Sequence, residues 1–229
     1  MLPNLAEVSP AANAKTPDSR GFSFALRQNN ERLELHALHH SKFGPVFADW
    51  ASAEMLRRVA AGKRQLLARA CGLNKTVALR ILDATGGLGR DAWTLAALGA
   101  EVTLTERNPT VMQLLQDAHR RVRDVQPGIA RRLTLVASDA RQLIPQGWDV
   151  IHLDPMFPHE GKTALPQKEL QILRELCGDD ADAGTLLEPA RKNARRIAVK
   201  RPLTAPALTA DKPSVILKGT QMRYDIYLS

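Results

Sequence analysis

Phe22, Phe24 and Leu26 alternate with polar neighbours, Gln28-Asn29-Asn30 interrupts the run, and Leu33 and Leu35 resume it. A two-residue period broken by such a cluster predicts a β-hairpin. Over 53–71 the spacing becomes helical, with Met55, Leu56, Val59, Leu66 and Leu67 apolar, Gly62 as a divider and Gly72 where a C-cap belongs. From residue 77 short apolar runs alternate with helical stretches. Strands are expected over 77–82, 102–104, 133–136 and 150–153. Helices are expected over 92–98, 109–123, 170–176 and 186–194, and closing strands over 197–199, 215–217 and 224–228. This alternation predicts an α/β fold with a doubly wound, largely parallel sheet. Only residues 218–222 separate the last two strands, too few for a crossover, so they should pair antiparallel. Residues 1–20 are rich in Ala, Pro, Asn and Ser without a period, and are expected to be frayed. The predicted organisation is a small N-terminal appendage over 1–72 and a mixed, Rossmann-like seven-stranded domain over 73–229.

Polar residues fall where such a sheet binds ligands. Asp83, Glu106, Asp139 and Asp154 each end a short apolar run. Strand C-termini of an open parallel sheet line one crevice, so these acids should converge. Between them lies DATGGLGRD (83–91), whose glycines, Gly86 among them, let backbone pass close beneath a ligand. Two cofactors compete for this turn. Gly87-Leu88-Gly89-Arg90-Asp91-Ala92 formally fits a dinucleotide pattern, with Glu106 at a suitable distance for a ribose. A pyrophosphate, however, wants an uncrowded, donor-rich helix N-terminus, and here Asp83 and Asp91 bracket the turn. S-adenosylmethionine (SAM) carries a sulfonium and an α-ammonium instead of phosphate, and acids would stabilise both. Glu106 would accept its ribose hydroxyls and Asp139 its adenine amine. The plainer alternative is that Asp83 and Asp91 cap the next helix.

DPMFP (154–158) follows the strand WDVIHL (148–153) directly. Methyl transfer to an exocyclic amine needs the nitrogen lone pair freed from the ring. A carboxylate such as Asp154, with the Pro155 carbonyl, can accept from that amine and favour a tetrahedral nitrogen. Phe157 offers a face on which a flipped base can stack. Pro155 and Pro158 stiffen the loop. The alternative is a rigid proline turn with Phe157 in the core.

Composition narrows the partner. The 229 residues hold 32 Lys+Arg against 24 Asp+Glu, for +8. The flanks carry the excess: +6 over residues 1–80 and +4 over 161–229, against −2 over 81–160. A basic rim around a less basic centre suits a polyanion held by its phosphates; solubility alone is the other explanation. Lys162, Lys168, Lys200, Arg201 and Arg223 are the phosphate-contact candidates. His36, His39 and His40 lack a fourth ligand at metal spacing, so no metal is expected. Cys71 and Cys177 cannot make a disulfide scaffold. No run approaches the length of a membrane span, and no export signal is evident; a cytoplasmic protein is expected. Trp50, Trp93 and Trp148 are read as packing residues, with Trp50 alternatively near an RNA entrance.

DATGGLGRD, LTERNP (104–109), LDPMFP (153–158), LLEPAR (186–191), VKRP (199–202) and RYDIY (223–227) together resemble ribosomal small-subunit methyltransferase J. The resemblance implies a class I SAM-dependent methyltransferase fold. It also implies transfer of methyl from SAM to the 2-amino group of a guanine in 16S rRNA, with the rRNA or the small subunit as partner. By the same resemblance SAM contacts fall on Arg90-Asp91, Glu106-Arg107, Ser138-Asp139 and Asp154. Two places depart from the family pattern: Gly86-Gly87 stands for Ala-Gly, and Asp139 for a second serine. Other readings remain open: amino-methylation of DNA adenine or protein glutamine, an NAD-dependent oxidoreductase, and a non-enzymatic RNA-binding module.

Overall fold

The computed structural model describes residues 6–8, 23–40, 42–76, 78–156, 168–178, 180 and 182–229. The expected hairpin is β2 (Ser23–Asn29) and β3 (Arg32–Leu38), turned through Asn30 at φ 52; asparagine tolerates this left-handed region. The frayed start needs one correction. Ala6–Val8 forms a strand, β1, that pairs antiparallel with β2. α1 (Ala53–Ala60) starts at Ser52, whose side chain accepts from the Met55 N–H. Gly62, at φ 65, separates it from α2 (Leu66–Ala70).

The remainder runs β4 (Arg80–Asp83), α3 (Arg90–Ala97), β5 (Glu101–Glu106), α4 (Pro109–Arg123), α5 (Pro127–Ala130), β6 (Leu133–Ala137), α6 (Ala140–Leu143), β7 (Trp148–Leu153), α7 (Lys168–Cys177), α8 (Leu187–Asn193), β8 (Ala194–Pro202), β9 (Val215–Lys218) and β10 (Met222–Leu228). The sheet is seven-stranded, in the order β6-β5-β4-β7-β8-β10-β9. β4 to β8 are parallel, and β10 pairs antiparallel with both β8 and β9, as the short last connection required. β8 is longer than its apolar centre predicted, because its polar residues Arg196, Lys200 and Arg201 are still paired along β7 or β10.

Alternation along each strand sends side chains to two cores. Ile81 packs with Trp50, Trp93, Leu104, Leu115 and Tyr224, while its neighbour Leu82 packs with Ile151, Leu187, Ile197 and Tyr227. The first core also contains Phe24, Leu35 and Leu67, so one apolar cluster spans both sides of residue 72. From β4 the chain winds outward through β5 to β6, then returns to place β7 on the other side of β4. Strand order reverses there, which opens a crevice beyond the ends of β4 and β7.

Candidate active site

Gly86 and Gly89 shape the turn after β4 for different reasons. A Cβ on Gly86 would lie 2.6 Å from Leu104 Cδ2 and 2.9 Å from the Thr105 carbonyl oxygen. The turn therefore rests directly on β5. Gly89, at φ 71, would drive a Cβ to 2.6 Å from Trp50 Cζ2. Trp50 is buried, donates Nε1–H to the Leu88 carbonyl at 2.9 Å and stacks on Trp93 at 5.2 Å. It packs beneath the turn and does not stand at an entrance.

The acids after the strands divide into two groups. Glu106 ends β5 and turns back over the glycines: Oε2 accepts from the Gly87 N–H at 3.1 Å and Oε1 from Asn108 N–H at 2.7 Å. Burial pushes its carboxyl above the ordinary range, against these two bonds. Asp154 follows β7, with its N–H donated to Thr85 Oγ1 at 2.6 Å. Its Oδ2 accepts from Lys200 Nζ at 2.6 Å.

Asp83 and Asp91 are engaged within the chain. Asp83 is 1% exposed and meets His152 Nδ1 at 3.2 Å, so burial closes off the direct ligand contact expected of it. Asp91 pairs with Arg58, with Lys200 at 3.3 Å and with His152 Nε2 at 3.5 Å. Burial alone would raise its pKa, but Lys200 and Arg58 outweigh that and hold the carboxylate well below its ordinary range. The Asp91 oxygens thus face the chain's own cations. Lys200 itself is held above its ordinary value by Asp91 and Asp154 in spite of burial.

Around the third strand end, Ser138 donates to Gln142 Oε1 at 2.8 Å. Asp139 caps α6 through the Arg141 N–H and pairs with the Arg141 guanidinium, which lowers its pKa. Arg107 lies across Asp180 and Asp182, each at 2.8 Å, and Arg90 pairs with Glu169 at 2.8 Å.

Three expected phosphate contacts, Arg201, Arg223 and Lys200, are corrected. Arg201 and Arg223 oppose each other directly in the β8–β10 pair, where like charges repel. The strands relieve this internally. Arg201 Nε donates to the Pro206 carbonyl at 2.9 Å; Arg223 pairs with Asp225 at 2.8 Å and donates to the Pro202 and Leu203 carbonyls. Both are buried. Lys200 is likewise committed inside the crevice. Lys168 remains at an exposed position, on the Lys42 carbonyl at 2.7 Å. Phe157, Pro158 and Lys162 lie outside the described residues; Pro155 stands beside Asp154, half of the expected amine clamp.

Three residues escaped the sequence reading. His152, fully buried, is a polar residue inside an otherwise apolar strand run, and that interruption was the available signal. Arg58 arrives from α1 and Asp180 from beyond α7, with no local motif to mark either. Asp180 Oδ2 accepts from the Met156 N–H at 2.9 Å while Oδ1 holds Arg107, tying the loop after β7 to the end of β5.

This geometry fits SAM. Above Gly87, at φ 50, a Cβ would meet nothing within 4 Å, so the turn has open space over it, with the Glu106 carboxylate at its rim. Each Glu106 oxygen keeps a lone pair for a ribose hydroxyl. Among the described residues no group of three or more His, Cys, Asp or Glu is arranged for a metal, and no helix is long and apolar enough to cross a membrane.

Comparison with known proteins agrees. The model of a family of SAM-dependent methyltransferases matches residues 11–229. The chain is 43% identical over 215 residues to the ribosomal RNA small subunit methyltransferase J of Ectopseudomonas mendocina, covering 89% of this chain and 82% of the relative. It is 42% identical over 222 residues to that of Dechloromonas aromatica, covering 92% and 90%. A SAM-dependent methyltransferase from Neisseria gonorrhoeae superposes with a TM-score of 0.71 at 28% identity, covering 93% of this chain and 85% of the other. A glycine turn with open space above it, a Glu106 carboxylate at its rim and these relatives converge: the chain belongs to the ribosomal RNA small subunit methyltransferase J family of SAM-dependent methyltransferases.

Proposed function

We propose that the protein transfers a methyl group from SAM to the 2-amino group of a guanine in 16S rRNA, with the rRNA or the small ribosomal subunit as partner. The relatives carry small-subunit rRNA in their names. The observation that carries the chemistry is Asp154, set at the reversal of strand order with one carboxylate oxygen on Lys200.

SAM supplies an electrophilic methyl on a sulfonium. Glu106 holds the ribose, and the Gly86-Gly87 turn gives the cofactor close access to backbone. Residues 90–91, 107, 138 and 139 form the remaining cofactor rim, and Asp91 and Asp139 act there through their neighbours. Asp154 accepts an N–H of the incoming amine through its other oxygen, which pulls the nitrogen lone pair away from the ring. Pro155 adds its carbonyl and Phe157 a stacking face. Proximity and orientation carry the rate, a contribution with a ceiling of about 7–11 kcal/mol. Lys162 and Lys168 are the remaining side chains for rRNA phosphates.

Incubation with radiolabelled SAM and hypomodified small subunits, followed by nucleoside analysis, tests this. Label in N2-methylguanosine is expected. Label in adenine, cytosine or protein would overturn the guanine assignment, and calorimetric binding of NAD in place of SAM would overturn the cofactor.

A further inference from the structure

We propose that the hollow beside Lys200 receives the acceptor guanine and that Glu54 reads its N1–H. The inference rests on the guanine methyltransferase reading above and adds a binding site and a specificity residue to it.

A cavity of about 370 Å³ opens between α1, α2 and the β8–β10 pair, bordered by Glu54, Arg58, Leu66, Lys200 and Met222. That volume lies within the ~300–1,000 Å³ of small-ligand sites. Its walls suit a base taken out of its stack: Leu66 and Met222 offer apolar surface for the ring faces, and the rim is polar. It adjoins the crevice, because Lys200 lines the hollow and also contacts Asp154 at 2.6 Å.

The rim chemistry selects among bases in two stages. Lys200 is a donor and Asp154 an acceptor, side by side. An exocyclic amine next to an unprotonated ring nitrogen presents the complementary pair. Guanine does so with its 2-amino group and N3, but adenine and cytosine also do so. Glu54 separates them. A carboxylate only accepts, and guanine N1 carries a hydrogen where adenine N1 and cytosine N3 have none. Uracil has an N–H but no amine. Arg58, one turn along α1 on the same face as Glu54, is held by Asp91, so this side of the hollow stays in place when the site is empty.

The sign of the Glu54 effect is diagnostic. Removing a negative charge from a surface that meets a polyanion should by itself strengthen binding. A specific contact predicts the opposite.

The test uses the full chain, hypomodified subunits and SAM calorimetry. Glu54→Ala is expected to lower kcat/KM for the subunit by about ten-fold or more, with Glu54→Gln, which keeps an acceptor oxygen, falling less. Met222→Trp, which fills the hollow, should lower it similarly. The SAM dissociation constant should stay within about two-fold in all three, which also reports that each variant is folded. Wild-type turnover in both Glu54→Ala and Met222→Trp would overturn the site, as would a loss of SAM affinity accompanying the loss of turnover. Wild-type protein that places no label in guanine would instead overturn the underlying reading, and the pocket with it.

Discussion

The ammonium of Lys200 lies 2.6 Å from Asp154 Oδ2 and joins the end of β8 to the loop after β7. One carboxylate oxygen is thereby fixed, and in the proposed reaction the other serves the acceptor. Replacing Lys200 with Met leaves Asp154 and Asp91 facing each other without their shared cation. Lys200→Met should lower unfolding free energy, by less than the ~3–5 kcal/mol of a fully stranded buried charge, since Asp91 keeps Arg58 and Asp154 is partly exposed. It should also cut kcat by about ten-fold or more, and Lys200→Arg should restore part of both. Urea titration and single-turnover methylation measure the two effects. Wild-type kcat in Lys200→Met would contradict the role assigned to the pair.

Asp180 joins the two halves of the site by bonding the Met156 N–H and Arg107. Asp180→Asn keeps an acceptor for Met156 and loses the charge opposite Arg107. Asp180→Ala loses both. The expected order of kcat is wild type, then Asn, then Ala, with Ala down about ten-fold while subunit KM changes little. Equal values for Asn and Ala would mean that the Met156 bond positions nothing.

His152 gives the fold a pH dependence whose sign is set by its partners. Burial lowers its pKa, but the flanking Asp83 and Asp91 carboxylates outweigh burial and hold it above the ordinary value. The native state then keeps a proton that the unfolded chain releases near pH ~6.5. Stability from this group is complete below that pH and falls as pH rises toward the folded value. The slope reaches at most about 1.4 kcal/mol per pH unit. Urea midpoints of the wild type should drop between pH 6 and 8, and His152→Asn should flatten the profile. A flat wild-type profile would rule out a raised histidine.

The glycines of the turn should respond differently to alanine. Gly89→Ala places a Cβ 2.6 Å from Trp50 Cζ2 and 2.9 Å from Leu115 Cδ2 at a positive φ, so a loss of about 1–3 kcal/mol is expected. Gly87→Ala meets no atom within 4 Å. It should cost less stability yet weaken SAM binding, because its methyl enters the space above the turn. Thermal melts beside calorimetry separate the two; equal SAM affinity in wild type and Gly87→Ala would remove the cofactor from that space.

The main sheet was legible because its information is local. Each strand has a short apolar centre, and the acids after β4, β5 and β7 mark the edge where a parallel sheet binds ligands. The brevity of 218–222 fixed the sense of β10. What the chain order hid was charge pairing across long separations: Arg58 with Asp91, Arg107 with Asp180, His152 between two acids. The same blindness made Arg201 and Arg223 look like free cations, since only strand register brings them face to face and forces their partners inward. β1 was hidden for another reason: its three residues carry no period long enough to read.

Trp50 and Arg58 both precede residue 72, yet one props up the glycine turn and the other neutralises Asp91. The stretch before residue 72 is therefore part of the foundation of the site. A version trimmed to begin at Leu73 would be left with an indole-sized void under its cofactor loop and a buried acid stripped of one of its two cations, so ligand affinity and cooperative melting should disappear together.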